Sequence, residues 1–360
     1  EAPPPMMYDF HLASLLPVIF NTQNSDIAAR IFDLIRQYYI PKESIRFSIA
    51  ETHDGKSVRG SLDLLSPSER QNLAKIVEAN GGIVKSRAVI HGREPYELCT
   101  STRDALIRIE DPALEADRFL AFYTLAFALM GRHVKSIYFN DLIGLGNDYN
   151  RMNQTGELRD IKRTKSDYES LKKALSDPNS LHFQIAKGIN NLIALVDSDP
   201  ALHFQGNEAE LISTGNPTVA CIHNHCENHH TYTLINTSGQ SQTISMDLSG
   251  VDRALPEALM DHFSQSLVGL NNEKLTLEAG PFQRLWLKEK RVDIPKEKLI
   301  EGTLLLSDYI SNTDTSASRQ QIHQKVPVSA PCRKWPSDRE PGRAVFVHAD
   351  SLPQSFPDAS

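Results

Sequence analysis

Four stretches of this 360-residue chain concentrate side chains that can act on a ligand. The first, ETHDGKSVRG (51–60), places His53 and Asp54 side by side directly after the apolar run IRFSIAE (45–51), with Gly55 next. In a parallel α/β barrel the C-terminal strand ends form the active face, so a carboxylate and an imidazole there are catalytic candidates. The same residues also suit a capped turn that satisfies only its own backbone. GREPYELCTS (92–101) presents Glu94, Tyr96 and Glu97, two carboxylates and a phenol suited to a hydroxyl-rich ligand; a solvated connecting loop between two helices accounts for them equally. In the stretch 139–163, Arg159, Lys162 and Arg163 form a local basic cluster. The arginine fork pairs bidentately with phosphate or carboxylate, while salt bridges on a helix face would use the same residues.

CIHNHCENHH (221–230) packs two cysteines and four histidines, common zinc ligands, into ten positions. Strands are expected near 218–223 and 231–236, with Cys221 buried on one face and His223 aimed at the other. His225, Cys226, His229 and His230 then fall in a tight loop. The stretch is read as a polar hairpin turn, without a metal.

The elements that would position these groups fall into two textures. Over the first 200 residues, short apolar runs alternate with helical periodicity, the mark of a parallel α/β sheet. MMYDF (6–10), IRFSIAE (45–51) and VKSIYF (134–139) are the expected strands. Helices are expected over 26–39, after Ser25 as a cap, and over 66–82, 111–131 and 181–199. From about residue 207 the runs TVACIHN, TYTLINTS, QTISMDL and LTLEAG predict short strands of an all-β sandwich. The domain reading is therefore 1–205 for the α/β part, 206–292 for the β domain and 293–360 for a largely disordered tail, within which LIEGTLLLSDYI forms one possible element.

Bulk properties narrow the partners. A net charge of -7 without long charge runs leaves no footprint for nucleic acid or an anionic membrane. No apolar run approaches a membrane span. Four cysteines scattered without a framework spacing point to a reducing compartment, so a cytoplasmic location is expected. The N-terminal EAPPPMMYDF reads like the interior of a longer protein.

In this order, THDG, PYEL and NDY with ELRDIKR resemble the C-terminal half of the family 13 glycoside enzymes (alpha-amylase superfamily), specifically the sucrose phosphorylase-like subfamily. GPFQRLWLK (280–288) resembles the last strand of that subfamily's C-terminal β domain. The resemblance covers roughly residues 1–290 and implies strands six to eight of a (β/α)8 barrel followed by an antiparallel β domain. It implies a retaining phosphorylase that moves an alpha-glucosyl group from a glucoside, such as sucrose or glucosylglycerate, to phosphate. Inorganic phosphate is the co-substrate; no other cofactor and no metal is implied.

Carried over by position, Asp54 would be the carboxylate that stabilises the transition state and His53 its neighbour in the glucose pocket. Glu94, Tyr96 and Glu97 would lie on the loop shaping the acceptor and phosphate site, and Arg159 would sit at the sugar pocket. RHVK (132–135) and Cys99 depart from the subfamily's usual residues. The nucleophile and the acid/base of the double displacement should both precede residue 1. The chain is accordingly read as a fragment lacking two of three catalytic carboxylates. The alternatives are a family 13 hydrolase or transglycosylase, and a non-catalytic carbohydrate-binding or interaction module.

Overall fold

A computed structural model describes residues 6–24, 26–27, 29–30, 45–61, 64–90, 92–106, 109–131, 133–202, 208–250, 255–289 and 345–348. In the first half the strands are β1 (Met6–Asp9), β2 (Ile45–Ile49), β3 (Lys56–Ser57), β4 (Ile83–Val89), β5 (Gly92–Cys99) and β6 (Val134–Tyr138). The second half contributes β7 (Glu208–Ile212), β8 (Val219–Cys226), β9 (His229–Asn236), β10 (Gln242–Asp247) and β11 (Ala258–Asp261). After them come β12 (Leu267–Asn271), β13 (Lys274–Ala279), β14 (Arg284–Lys288) and β15 (Val345–His348).

β1, β2, β6 and β15 lie in that order in one parallel sheet, as a barrel arc requires. The three strands expected from the apolar runs are all present. β15 adds a fourth from the tail that was expected to be disordered, pairing in parallel with β6; the rest of that tail, with LIEGTLLLSDYI, lies outside the described residues. At the other edge Met6 and Tyr8 of β1 are exposed, and Tyr8 meets Phe10 and Phe47.

Helix ends follow local chemistry. Ser66 and Glu69 form a reciprocal capping box ahead of the Pro67–Ala79 helix, with Pro67 in the first turn. Asp111 caps Pro112–Met130 and Gly131 ends it; Ser180 caps Leu181–Ser198. The helix expected over 26–39, with its cap Ser25, lies mostly outside the described residues. A further helix, His11–Thr22, follows β1 and is buried along most of its length.

The second half is one eight-stranded antiparallel sheet, in the order β10-β13-β12-β11-β14-β9-β8-β7. Alternation sorts its side chains into two cores. Cys221, Leu234, Leu285 and Leu287 share a cluster with Ile244, Met246 and Leu275 from the far strands, so the sheet curls over itself. Ala220, Ile222, Ile235 and Trp286 face the other way and join the core of the α/β part. The Pro112–Met130 helix lies between the two halves, which is why it is apolar nearly all round. Asp199 fastens that junction: fully buried, it accepts hydrogen bonds from the Trp286 indole at 2.8 Å and Thr231 at 2.6 Å, and from Lys288.

Candidate active site

The chain leaves β2 at Ile49 and enters a loop, 50–55, held from three sides. Within it, the Asp54 amide donates to the Thr52 hydroxyl at 3.0 Å and the Thr52 amide to Glu51 at 2.9 Å. From below, Lys56 and Lys162 both donate to the Glu51 carboxylate. From the far side, Lys162 donates to the Asp54 carbonyl at 2.8 Å and Arg163 to the His53 carbonyl at 2.9 Å. The loop therefore presents Asp54 outward on a rigid base.

Arg159 and Lys162 come from one 3-10 turn, Leu158–Lys162. Residues three apart eclipse in such a turn, so both side chains reach the same loop. Arg159 spans two carboxylates: Nη1 donates to Asp54 at 3.0 Å, while Nε and Nη2 donate to Glu97 at 2.6 and 3.2 Å. Arg163 approaches Asp54 at 3.5 Å, and His53 Nε2 lies 3.8 Å from the same oxygen. Asp54 is half exposed, Arg159 less so and Glu97 buried. Lys85 of β4 adds a second positive charge 3.6 Å from Glu97. Gly55 is required here by space: a Cβ on it would come within 2.2 Å of the Glu97 carboxylate.

Electrostatics follow from these contacts. Burial pushes the Glu97 carboxyl up, but the Arg159 hydrogen bond and the charges of Lys85 and Arg159 together hold it below the usual range. The Glu97 hydrogen bond raises the Arg159 guanidinium further, so it stays charged. Burial, then the Glu97 charge, push Cys99 up to about 11; its thiol stays protonated at neutral pH and points at Glu97 from 3.8 Å.

Beneath the loop lies a buried ionic network that spacing did not single out. Glu51, Lys56, Lys162, Thr102, Asp141 and Tyr123 are all buried. Thr102 lies 2.9 Å from Glu51 and 2.6 Å from Asp141, and Tyr123 donates to Asp141. Burial lowers Lys162 to about 8; burial and then the Lys162 charge lower Lys56 well below its usual value. Burial raises Asp141, with the neighbouring lysines opposing. The available signal was Glu51 and Lys56 flanking THDG, an acid and a base at the two ends of one turn.

The structure thus brings Asp54, His53, Glu97 and Arg159 together, while Glu94 pairs with Arg87 instead. GREPYELC, expected as a connecting loop, is β5, the central strand of the antiparallel sheet β3-β5-β4. Glu94 faces its cross-strand neighbour Arg87, whose Nε donates to it at 2.8 Å. Tyr96 sits where the register shifts, so that Lys85 faces Glu97 but Ser86 faces Pro95. The bulge puts Glu94 and Glu97, three residues apart, on one face of the sheet, opposite Arg87 and Lys85 in turn.

No family model matches the chain. Among curated proteins it is similar to glucosylglycerate phosphorylase of Allomeiothermus silvanus, 27% identical over 213 residues, which are 58% of this chain and 38% of that one. It is 25% identical over 288 residues to the glucosylglycerate phosphorylase of Escherichia coli, covering 79% of this chain and 48% of that one. Among solved structures, sucrose 6F-phosphate phosphorylase from Thermoanaerobacter thermosaccharolyticum matches with a TM-score of 0.53 at 15% identity, over 76% of this chain and 47% of the other. The chain is therefore similar to the sucrose phosphorylase-like branch of glycoside hydrolase family 13. It spans less than half the length of each of these curated relatives. The structural likeness extends over both halves of the fold, a partial barrel arc and an antiparallel β domain. Among the described residues no helix is long and apolar enough to cross a membrane.

Proposed function

We propose that this chain supplies strands six to eight and the β domain of a retaining family 13 phosphorylase. In the intact barrel an alpha-glucosyl group would pass from a glucoside to phosphate, giving glucose 1-phosphate. The observation that carries the reading is Arg159 bridging Asp54 and Glu97 at the C-terminal end of a parallel strand, where barrel enzymes do their chemistry. The names of the two relatives support phosphorolysis.

In this proposal Asp54 binds sugar hydroxyls and gains strength as positive charge grows on the sugar ring in the transition state. His53 shares the glucose pocket, and Arg159 meets a sugar hydroxyl or the incoming phosphate with its rigid fork. Glu97 orients Arg159 from the β5 side. The nucleophile and the acid/base would come from strands preceding β1, whose exposed Met6 and Tyr8 would then be covered. The chain alone would form no glycosyl-enzyme.

The test is phosphate-dependent release of glucose 1-phosphate by a protein holding the whole barrel. Asp54→Asn should depress kcat at least a hundredfold with an unchanged circular dichroism spectrum, and a near-native kcat would remove Asp54 from the catalytic set. Glucose 1-phosphate above a blank from the 360-residue chain alone would overturn the fragment reading.

A further inference from the structure

The histidine cluster is not the loop that the sequence suggested. β8 runs on to Cys226 and β9 starts at His229, leaving only Glu227 and Asn228 in the turn. His225, Cys226, His229 and His230 are therefore strand residues. Cys221 and His223, expected on opposite faces, are two apart on one strand and share a face. His223 stacks on Tyr232, whose cluster includes Cys221.

Three strands meet on that face. His223 and His225 stack along β8 with ring centroids 4.9 Å apart. Glu210, on β7, is the register partner of His223, and His230, on β9, is that of His225. Glu210 Oε1 lies 2.6 Å from His223 Nδ1, and His230 Nδ1 lies 3.0 Å from His223 Nε2. One ligand atom each from Glu210, His223 and His225 lies within 4.8 Å of the others. His223 is buried, while Glu210 keeps 40% of its side chain exposed, so the group is anchored yet open to solvent.

From this geometry we propose a divalent metal site formed by Glu210, His223 and His225. Two imidazoles and one carboxylate suit zinc and similar borderline ions, with water completing a tetrahedron. In the metal-free state a proton holds His223 Nδ1 to Glu210. Metal binding forms bonds to His223 Nδ1, His225 and Glu210, and the proton leaves Nδ1 for Nε2 of the same ring through solvent, so His223 stays neutral. His230 then takes the hydrogen bond from the other nitrogen of His223 and fixes its ring, the usual outer partner of a ligating histidine. The ion ties β7, at the end of the strand order, to β8.

The experiment uses the full 360-residue chain, stripped of metal and titrated with Zn²⁺ by calorimetry and with Co²⁺ by visible absorption. One equivalent should bind. Glu210→Gln and His225→Gln should each weaken binding at least tenfold; both side chains are partly exposed, so these variants should fold. Cys226→Ser should change nothing. No binding by the wild-type chain, undiminished affinity in both glutamine variants, or a cobalt–thiolate band lost in Cys226→Ser would each overturn the site.

Discussion

Glu51→Gln should cost more stability than any surface change near the site, and the structure says why. The Glu51 carboxylate is the shared acceptor for Lys56 and Lys162, lies 2.9 Å from the Thr102 hydroxyl and accepts the Thr52 amide at 2.9 Å. Glutamine keeps the shape but removes the charge, and its amide hydrogens would face an ammonium group. Two buried lysines would then share only the more distant Asp141. Breaking a buried ion pair on one side costs about 3–5 kcal/mol, because the remaining charge stays desolvated. Against a typical total of about 5–15 kcal/mol this is about a fifth or more of the stability. With about 2–4 °C lost per kcal/mol at this size, Tm should fall by about 6–20 °C. Urea unfolding of the chain, read from the midpoint at constant slope, measures it. Replacing all four ions together, Glu51→Leu and Asp141→Leu with Lys56→Met and Lys162→Met, should recover part of the loss, since no buried charge is then orphaned. A Glu51→Gln loss under about 0.5 kcal/mol, the size of an ordinary surface change, would refute the reasoning.

In a protein holding the whole barrel, Arg159→Lys should lower kcat/KM for phosphorolysis at least tenfold, about 1.4 kcal/mol, because one ammonium cannot bridge Asp54 and Glu97 as the fork does. An unchanged value would place Arg159 in a mere surface pair. Gly55→Ala should destabilise the chain by about 1–3 kcal/mol by driving Glu97 off Arg159, measured by urea unfolding. Burial lowers Lys135, which donates to the Gly131 carbonyl, to about 8, below its unfolded value of about 10.4. The unfolded chain thus binds more protons between these values. The Lys135 contribution is least favourable below pH 8 and rises with pH above it, by up to about 1.4 kcal/mol per unit. Lys135→Met should remove that rise, so equal slopes from pH 8 to 9.5 in both proteins would refute it.

What the sequence made legible was local. β1, β2 and β6 are short apolar runs, and the capped helices announce their ends by Ser66, Asp111 and Gly131. β5 was not legible because its alternation is broken by the bulge at Tyr96 and its neighbours are polar. The His11–Thr22 helix carries Pro17 inside, which argues against a helix locally; tertiary burial of its leucines prevails. In the hairpin, a strand rich in histidine gives no apolar signal, so its last residues read as loop although β8 and β9 pair through Cys226 and His229.

The site divides in the same way. Asp54 and His53 were legible because a polar pair after an apolar strand is a local pattern, whereas their supports come from far along the chain: Glu97 sits 43 residues on and Arg159 105 residues on from Asp54. No spacing rule connects such positions; only the folded arrangement of β2, the β3-β5-β4 sheet and the Leu158–Lys162 turn does. That arrangement also bears on chemistry. Without ligand, Arg159 is neutralised by Asp54 and Glu97, and Arg163 by Asp160 at 3.0 Å as well as Asp54. The site therefore offers phosphate no standing surplus of positive charge. For phosphate to use Arg159, one carboxylate must give it up, and Asp54 is the one that can. Asp54 holds the guanidinium by a single bond and is half exposed, while buried Glu97 holds it by two. A sugar bound by its hydroxyls to Asp54 would draw that carboxylate away first. Were the proposed double displacement to run here, sugar would have to bind before phosphate, and the unequal grip on Arg159 favours that order.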